Sequence, residues 1–100
     1  MIKIVSRKGL SCPIIFCDYC QCEIEKATEG NYEYRVFTDE PSPIFFAHKK
    51  CSRQLEASQH LPTVGLWGTM ELEVLPIYLG HNLRIKWGKA RQSARFLASC

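Results

Sequence analysis

Cys17 and Cys20, and then His48 and Cys51, form two pairs, Cys-x2-Cys and His-x2-Cys, separated by the 27 residues from Gln21 to Ala47. Thiolate and imidazole are the donors zinc takes in proteins, and two such pairs supply the four ligands of a tetrahedral site. The chemistry expected is structural: one Zn2+ with a full set of protein ligands, where a catalytic zinc keeps one position open for water. Cys22 makes Cys-x-Cys with Cys20 and competes as a ligand, but the paired spacing favours Cys17 with Cys20. Cys12 and Cys100 read as free thiols. The sequence has no His-Glu-x-x-His, no His-x-Glu with Pro-Cys-x-x-Cys and no Gly-rich phosphate loop. An enzyme is therefore not expected, and a nuclease built around His81-Asn82 is the weakest of the alternatives. His60 and His81 read as surface or capping histidines.

A fold must bring these two pairs together. The chain has 100 residues, 46% hydrophobic and 23% charged, which is the size and composition of a single globular domain. Residues 2–5 and 13–16 are short β-prone runs around Lys8-Gly9, a hairpin that feeds the first cysteine pair. Residues 31–38 alternate aromatic and charged side chains, turn at Asp39-Glu40-Pro41-Ser42-Pro43 and return through Ile44-Phe45-Phe46, a second hairpin. From His48 the alternation stops and helix formers take over, with Cys51, Leu55 and Ser58 on one side. The second ligand pair thus opens a helix that Leu61-Pro62 ends, and Gly65 and Gly68 make a flexible connection.

Beyond that connection Thr69 could cap a helix running to Gly80 and kinked at Pro76, with stripes of Met70, Val74, Ile77 and of Leu72, Leu75, Leu79. The competing reading is a strand, since Met70, Leu72 and Val74 alternate with Glu71 and Glu73. A last helix over 86–98 carries an apolar stripe of Trp87, Ala90, Ala94 and Leu97 and is expected to pack on that side. The fold class is α+β: a zinc module of β-hairpins plus a helix over residues 1–62, then a helical hairpin over 63–100 packed on it as one compact domain.

The order knuckle, hairpin, helix, with Cys17-Asp18-Tyr19-Cys20 on the knuckle and His48-Lys49-Lys50-Cys51 in the first helical turn, resembles a treble-clef zinc finger over about residues 14–60. It also resembles half of a LIM domain, without the second zinc half that LIM function would need. The resemblance implies one structural zinc on Cys17, Cys20, His48 and Cys51. Gln21 stands where such knuckles commonly carry glycine. Treble clefs serve as nucleic-acid binders, protein adaptors and some nucleases, so the fold does not choose among them.

The remaining surface carries the choice. Net charge is +3, and residues 84–95 hold Arg84, Lys86, Lys89, Arg91 and Arg95 without an acid. With Lys49 and Lys50 beside the metal, these are the candidate nucleic-acid contacts. Trp67, Met70, Val74 and Ile77 are the candidate protein interface. Tyr32, Tyr34, Phe37, Phe45 and Phe46 could stack on bases but read as hairpin core. A protein partner or a homodimer is favoured over nucleic acid. No apolar run approaches the roughly 18 residues of a membrane span, and the N-terminus lacks a signal-peptide apolar core. No membrane role is expected, and the expected location is the reducing cytoplasm.

Overall fold

The computed structural model describes residues 1–36, 40–59, 66–94 and 100, with the backbone alone at Leu66. Phe37, His60 and Arg95, the stop at Leu61-Pro62, Gly65 and the end of the helix expected over 86–98 lie outside the described residues.

Strands β1 (Ile2–Arg7) and β2 (Leu10–Ile15) form an antiparallel hairpin with Arg7 opposite Leu10. Lys8 and Gly9 join them with φ of 51° and 76°. Two left-handed residues are what a type I′ turn requires, and its twist matches that of the flanking strands. The hairpin delivers the chain to Phe16, which bridges to Glu23 and closes the loop that carries the first cysteine pair.

The second sheet has β3 (Gly30–Val36) in the middle, antiparallel to both β4 (Phe45–His48) and β5 (Leu66–Glu71). β4 ends at His48, a 3-10 turn covers Lys49–Cys51, and α1 (Ser52–Ser58) continues from it. The second ligand pair therefore does open a helix. After β5 a 3-10 turn, Leu72–Val74, leads to α2 (Leu75–Asn82), and α3 (Trp87–Ser93) completes an α+β chain.

Strand wins over helix at Thr69 and Met70. The period-two alternation is decisive because β3 offers a free edge: Tyr32 pairs with Met70 and Glu33 with Thr69. Helix starts only at Leu75, with Pro76 in its first turn, where a missing N–H costs nothing. Pro76 thus begins a helix rather than kinking one. Gly68 is no flexible connector either. It lies in β5 beneath the Tyr34 ring, so close that a Cβ would sit 2.4 Å from the nearest ring carbon.

The core joins Ile24, Tyr32, Phe46, Leu55 and Leu72 to the candidate ligands Cys17 and Cys51. The hairpin aromatics are core, as read from the sequence: Tyr32 and Phe46 are buried, Tyr34 and Phe45 pack against them, and the Tyr32 and Tyr34 rings stack at 5.9 Å. The apolar stripe of α3 is not buried. Ala90 and Ala94 are exposed, and Trp87 touches the chain at Gly80 yet stays 50% exposed.

Cys12 and Cys100 are not free thiols but a disulfide, with 88 residues of sequence separation and Cα atoms 5.5 Å apart. Local spacing gave no sign of it, because it depends on where residue 100 arrives in space. Closing a loop of that length removes about 4–5 kcal/mol of unfolded-chain entropy in the loop-closure view.

Glu33 is the one charged residue buried among those described, at 0% exposure in the central strand. The Thr69 hydroxyl donates to its Oε1 at 3.4 Å, while Oε2 has no hydrogen-bond partner. Burial raises its pKa, and the nearby Glu56 adds to the rise. The Ser52 and Thr69 hydroxyls pull the other way without reversing it. A carboxyl with a raised folded pKa binds its proton more tightly folded than unfolded, so it subtracts stability as pH rises from its unfolded pKa through its folded one. Glu33→Gln is expected to stabilise the fold at neutral pH, with the gain vanishing below the usual carboxylate range. Denaturant melts of both proteins across pH check this, and a pH-independent difference would contradict it.

Candidate metal centre

The knuckle owes its shape to backbone bonds around Cys17. Its N–H donates to the Cys22 carbonyl at 2.9 Å, and its carbonyl accepts from the Gln21 N–H at 3.0 Å. The Tyr19 and Cys20 N–H groups point at Cys17 Sγ from 3.4 and 3.5 Å. Gln21 turns the chain out of the knuckle with φ 65°, and its side chain donates to the Asp18 carbonyl at 3.1 Å. The residue that departs from the glycine common in such knuckles thus adopts the conformation glycine would favour.

Asp18, inside the Cys-x2-Cys, fastens the knuckle to β4. Its N–H donates to the Phe46 carbonyl at 2.7 Å, and its carboxylate accepts from the Phe46 N–H at 2.7 Å. With β4 fixed in register on β3, Gly30 opposite His48, the imidazole comes to the knuckle. Cys51 follows one turn later, buried above Leu55.

The side chains of Cys17, Cys20, His48 and Cys51 converge, with one ligand atom from each and all four within 4.8 Å of one another. Cys17 and Cys51 are buried and Cys20 is exposed, so the cluster sits under one edge of the surface. His48 Nε2 lies 3.1 Å from the Glu23 carbonyl oxygen, and Nδ1 lies 3.3 Å from Cys20 Sγ. A carbonyl can only accept, so Nε2 carries the proton and Nδ1 turns its lone pair to the thiols. Tetrahedral zinc with its ordinary bond lengths would set those two atoms about 3.5 Å apart, so the cluster fits the ion.

The thiols cannot all ionise together. Burial pushes Cys17 up, yet the N–H groups aimed at its sulfur and His48 bring it below the ordinary thiol value. The backbone at Cys22 chiefly lowers Cys20. Cys51 pays for both, pushed up to about 11 by burial and by the charges on Cys17 and Cys20. A divalent cation at the centre removes that conflict by offsetting the thiolate charges. Cys22 is not one of the four: its Sγ donates to the Cys20 carbonyl oxygen at 3.7 Å, and its pKa is raised chiefly by a hydrogen bond with the Cys20 thiol.

The other candidate residues do not share one place. Lys49 pairs with Glu71 at 3.0 Å, whereas Lys50 is exposed on the same turn. Arg84, Lys86, Lys89 and Arg91 are exposed around α3 and its approach. Trp67 is engaged within the sheet, edge-on to Phe45 at 5.6 Å with the Arg35 guanidinium over its ring at 5.3 Å. Met70, opposite Tyr32, lies on the other face against the core, and Val74 is half-buried. Of that set only Ile77 stands out, at 70% exposure. An apolar hollow of about 540 Å³ opens elsewhere, between the β1–β2 hairpin and α2, with Ile15, Leu75 and Leu79 among its walls and the Arg7–Glu23 ion pair at its edge. Sequence reasoning missed the Glu23 carbonyl and the Asp18 clamp; the only local signal was an acidic residue inside the knuckle.

No family model, curated protein or solved structure matches the chain.

Two outcomes test the centre. Chelation, or Cys51→Ser, is expected to abolish cooperative melting of the β3–β4–α1 region followed by circular dichroism, since structural zinc contributes on the order of 10 kcal/mol to such folds. Retained cooperativity would remove the structural role. Gln21→Gly relieves a left-handed non-glycine residue and is expected to leave zinc stoichiometry intact while raising stability by up to about 1 kcal/mol.

Proposed function

We propose that this chain is a structural-zinc module that works as a small protein-interaction adaptor or regulator in the cytoplasm. The observation that carries the reading is the convergence of Cys17, Cys20, His48 and Cys51, with the His48 tautomer set by Glu23. Four protein ligands fill a tetrahedral sphere, so the metal's task is to hold the knuckle, the hairpin and α1 together. The order of those three parts supports the treble-clef resemblance. With the metal coordinatively closed we assign no catalysis, and the function falls to the surface the metal organises, where a protein partner or a second copy binds. Among the described residues no helix is long and apolar enough to cross a membrane.

Nucleic acid is the second reading, resting on exposed Lys50, Arg84, Lys86, Lys89 and Arg91. Binding of a nonspecific duplex that falls steeply with salt would favour it, because each phosphate contact releases counterions. Native mass spectrometry with and without a chelator is expected to give one zinc per chain, and it reports the number of subunits in the same spectrum. A zinc-free mass would end the proposal. The Cys12–Cys100 disulfide and a reducing compartment make opposite demands. Protein alkylated in its own cells before lysis therefore decides the location, an open Cys12 supporting the cytoplasm and a closed bond placing the chain in an oxidising one.

A further inference from the structure

α2 ends in a Schellman motif: the Ile85 N–H donates to the Gly80 carbonyl at 2.9 Å and the Arg84 N–H to the His81 carbonyl at 3.2 Å. The position after the helix cap is then left-handed, and glycine is the residue that takes it without strain. Here it is Arg84, with φ 54°. A strained backbone that keeps an exposed cation in place is a reason to look for what the cation meets.

The surroundings are apolar and exposed. Trp87 lies on Gly80, where a Cβ would come within 2.4 Å of its ring. At 100° per residue Ile77 and Leu83 flank Gly80 by about 60° on either side, and Ile77 shares a hollow with the tryptophan. Ile77 is 70% exposed, Leu83 68% and Trp87 50%. Pro76, Ile77, Trp87 and Arg91 enclose a shallow hollow of about 350 Å³. Arg91 lines that hollow, Arg84 lines another with Gly80, and the sequence has no Asp or Glu after Glu73. Aliphatic side chains gain nothing against phosphates, whereas a strip of Ile, Leu and Trp ringed by one sign of charge complements a peptide with apolar anchors and carboxylates.

We propose that the α2–α3 corner binds an acidic peptide segment of a partner protein, its large apolar side chains seated on Ile77, Leu83 and Trp87 and its carboxylates met by Arg84 and Arg91. This rests on the adaptor reading and names the partner's chemistry. Arg84 trades backbone ease for a cation at the rim.

The test uses the zinc-loaded full chain and four probes: a labelled synthetic Glu/Leu/Phe peptide, its Lys/Leu/Phe counterpart, a nonspecific DNA duplex and phosphatidylglycerol vesicles. The acidic peptide is expected to bind at least about tenfold more tightly than the lysine peptide, and the exposed pair Ile77→Ser with Leu83→Ser to weaken it by about tenfold. Arg84→Gly is expected to weaken the peptide several-fold while raising the melting temperature by about 4 °C. A merely structural Arg84 would move the melting temperature alone, which would overturn its part. Equal binding of the two peptides, both still sensitive to the serine pair, overturns the acidic partner and leaves the adaptor reading in place. Binding confined to the duplex or to the vesicles overturns both.

Discussion

Three sulfurs and one imidazole nitrogen inside 4.8 Å make an arrangement that the chain alone cannot fully ionise. The hydrogen bonds that favour thiolates at Cys17 and Cys20 set beside Cys51 the charges that oppose its own. That conflict is the constraint on the N-terminal half: either Cys51 keeps its proton or a cation shared by all four donors offsets the charge. The ligands come from different elements, two from a loop, one from the end of a strand and one from a helix start. An ion held there would fix knuckle, sheet and α1 relative to one another in a domain whose apolar core is small. The protein groups that aim the donors are mostly main chain: knuckle N–H groups on Cys17, the Glu23 carbonyl on His48, and Phe46 held by Asp18.

β3 carries the rest of the architecture. It pairs with β4 on the side of the Cys and His cluster and with β5 on the other, so the C-terminal part is tied to the N-terminal part by a ladder running from Asn31 with Glu71 to Val36 with Leu66. A position with a strand on both sides has little room for a charge, and Glu33 sits there with one oxygen unpaired. Burial there works against the carboxylate, and the hydroxyls of Ser52 and Thr69 offset part of that cost.

Features written in short-range spacing were legible in the sequence. The two ligand pairs, the Lys8-Gly9 turn, the aromatic hairpin and the helix after His48 each announce themselves within a few residues. What depended on distant partners was not. β5 becomes a strand because β3 has an edge to offer, and the same residues make a plausible helix when read alone. The Cys12–Cys100 bond joins residues too far apart for any local pattern. Gln21 looked like a departure because residue type was being read for a backbone angle; the angle is kept and the residue bears it. The exposed face of α3 was misjudged because a stripe shows that a helix can pack, not that anything covers it.

The Cys12–Cys100 disulfide also decides how the molecule carries load. Tension applied between residue 100 and anything attached ahead of residue 12 passes through a sulfur–sulfur bond rather than along the 88 residues it spans. The three-stranded sheet, the Cys17–Cys20–His48–Cys51 cluster and both C-terminal helices then hang from that closed loop as unstressed cargo, while β1 and the start of β2, ahead of Cys12, stay in the line of pull. A protease cut inside the loop leaves one covalent molecule whose halves stay tethered beside each other. Reduction changes the mechanical object altogether, placing the Cys17–Cys20–His48–Cys51 cluster and the β3–β5 ladder in series with the pull.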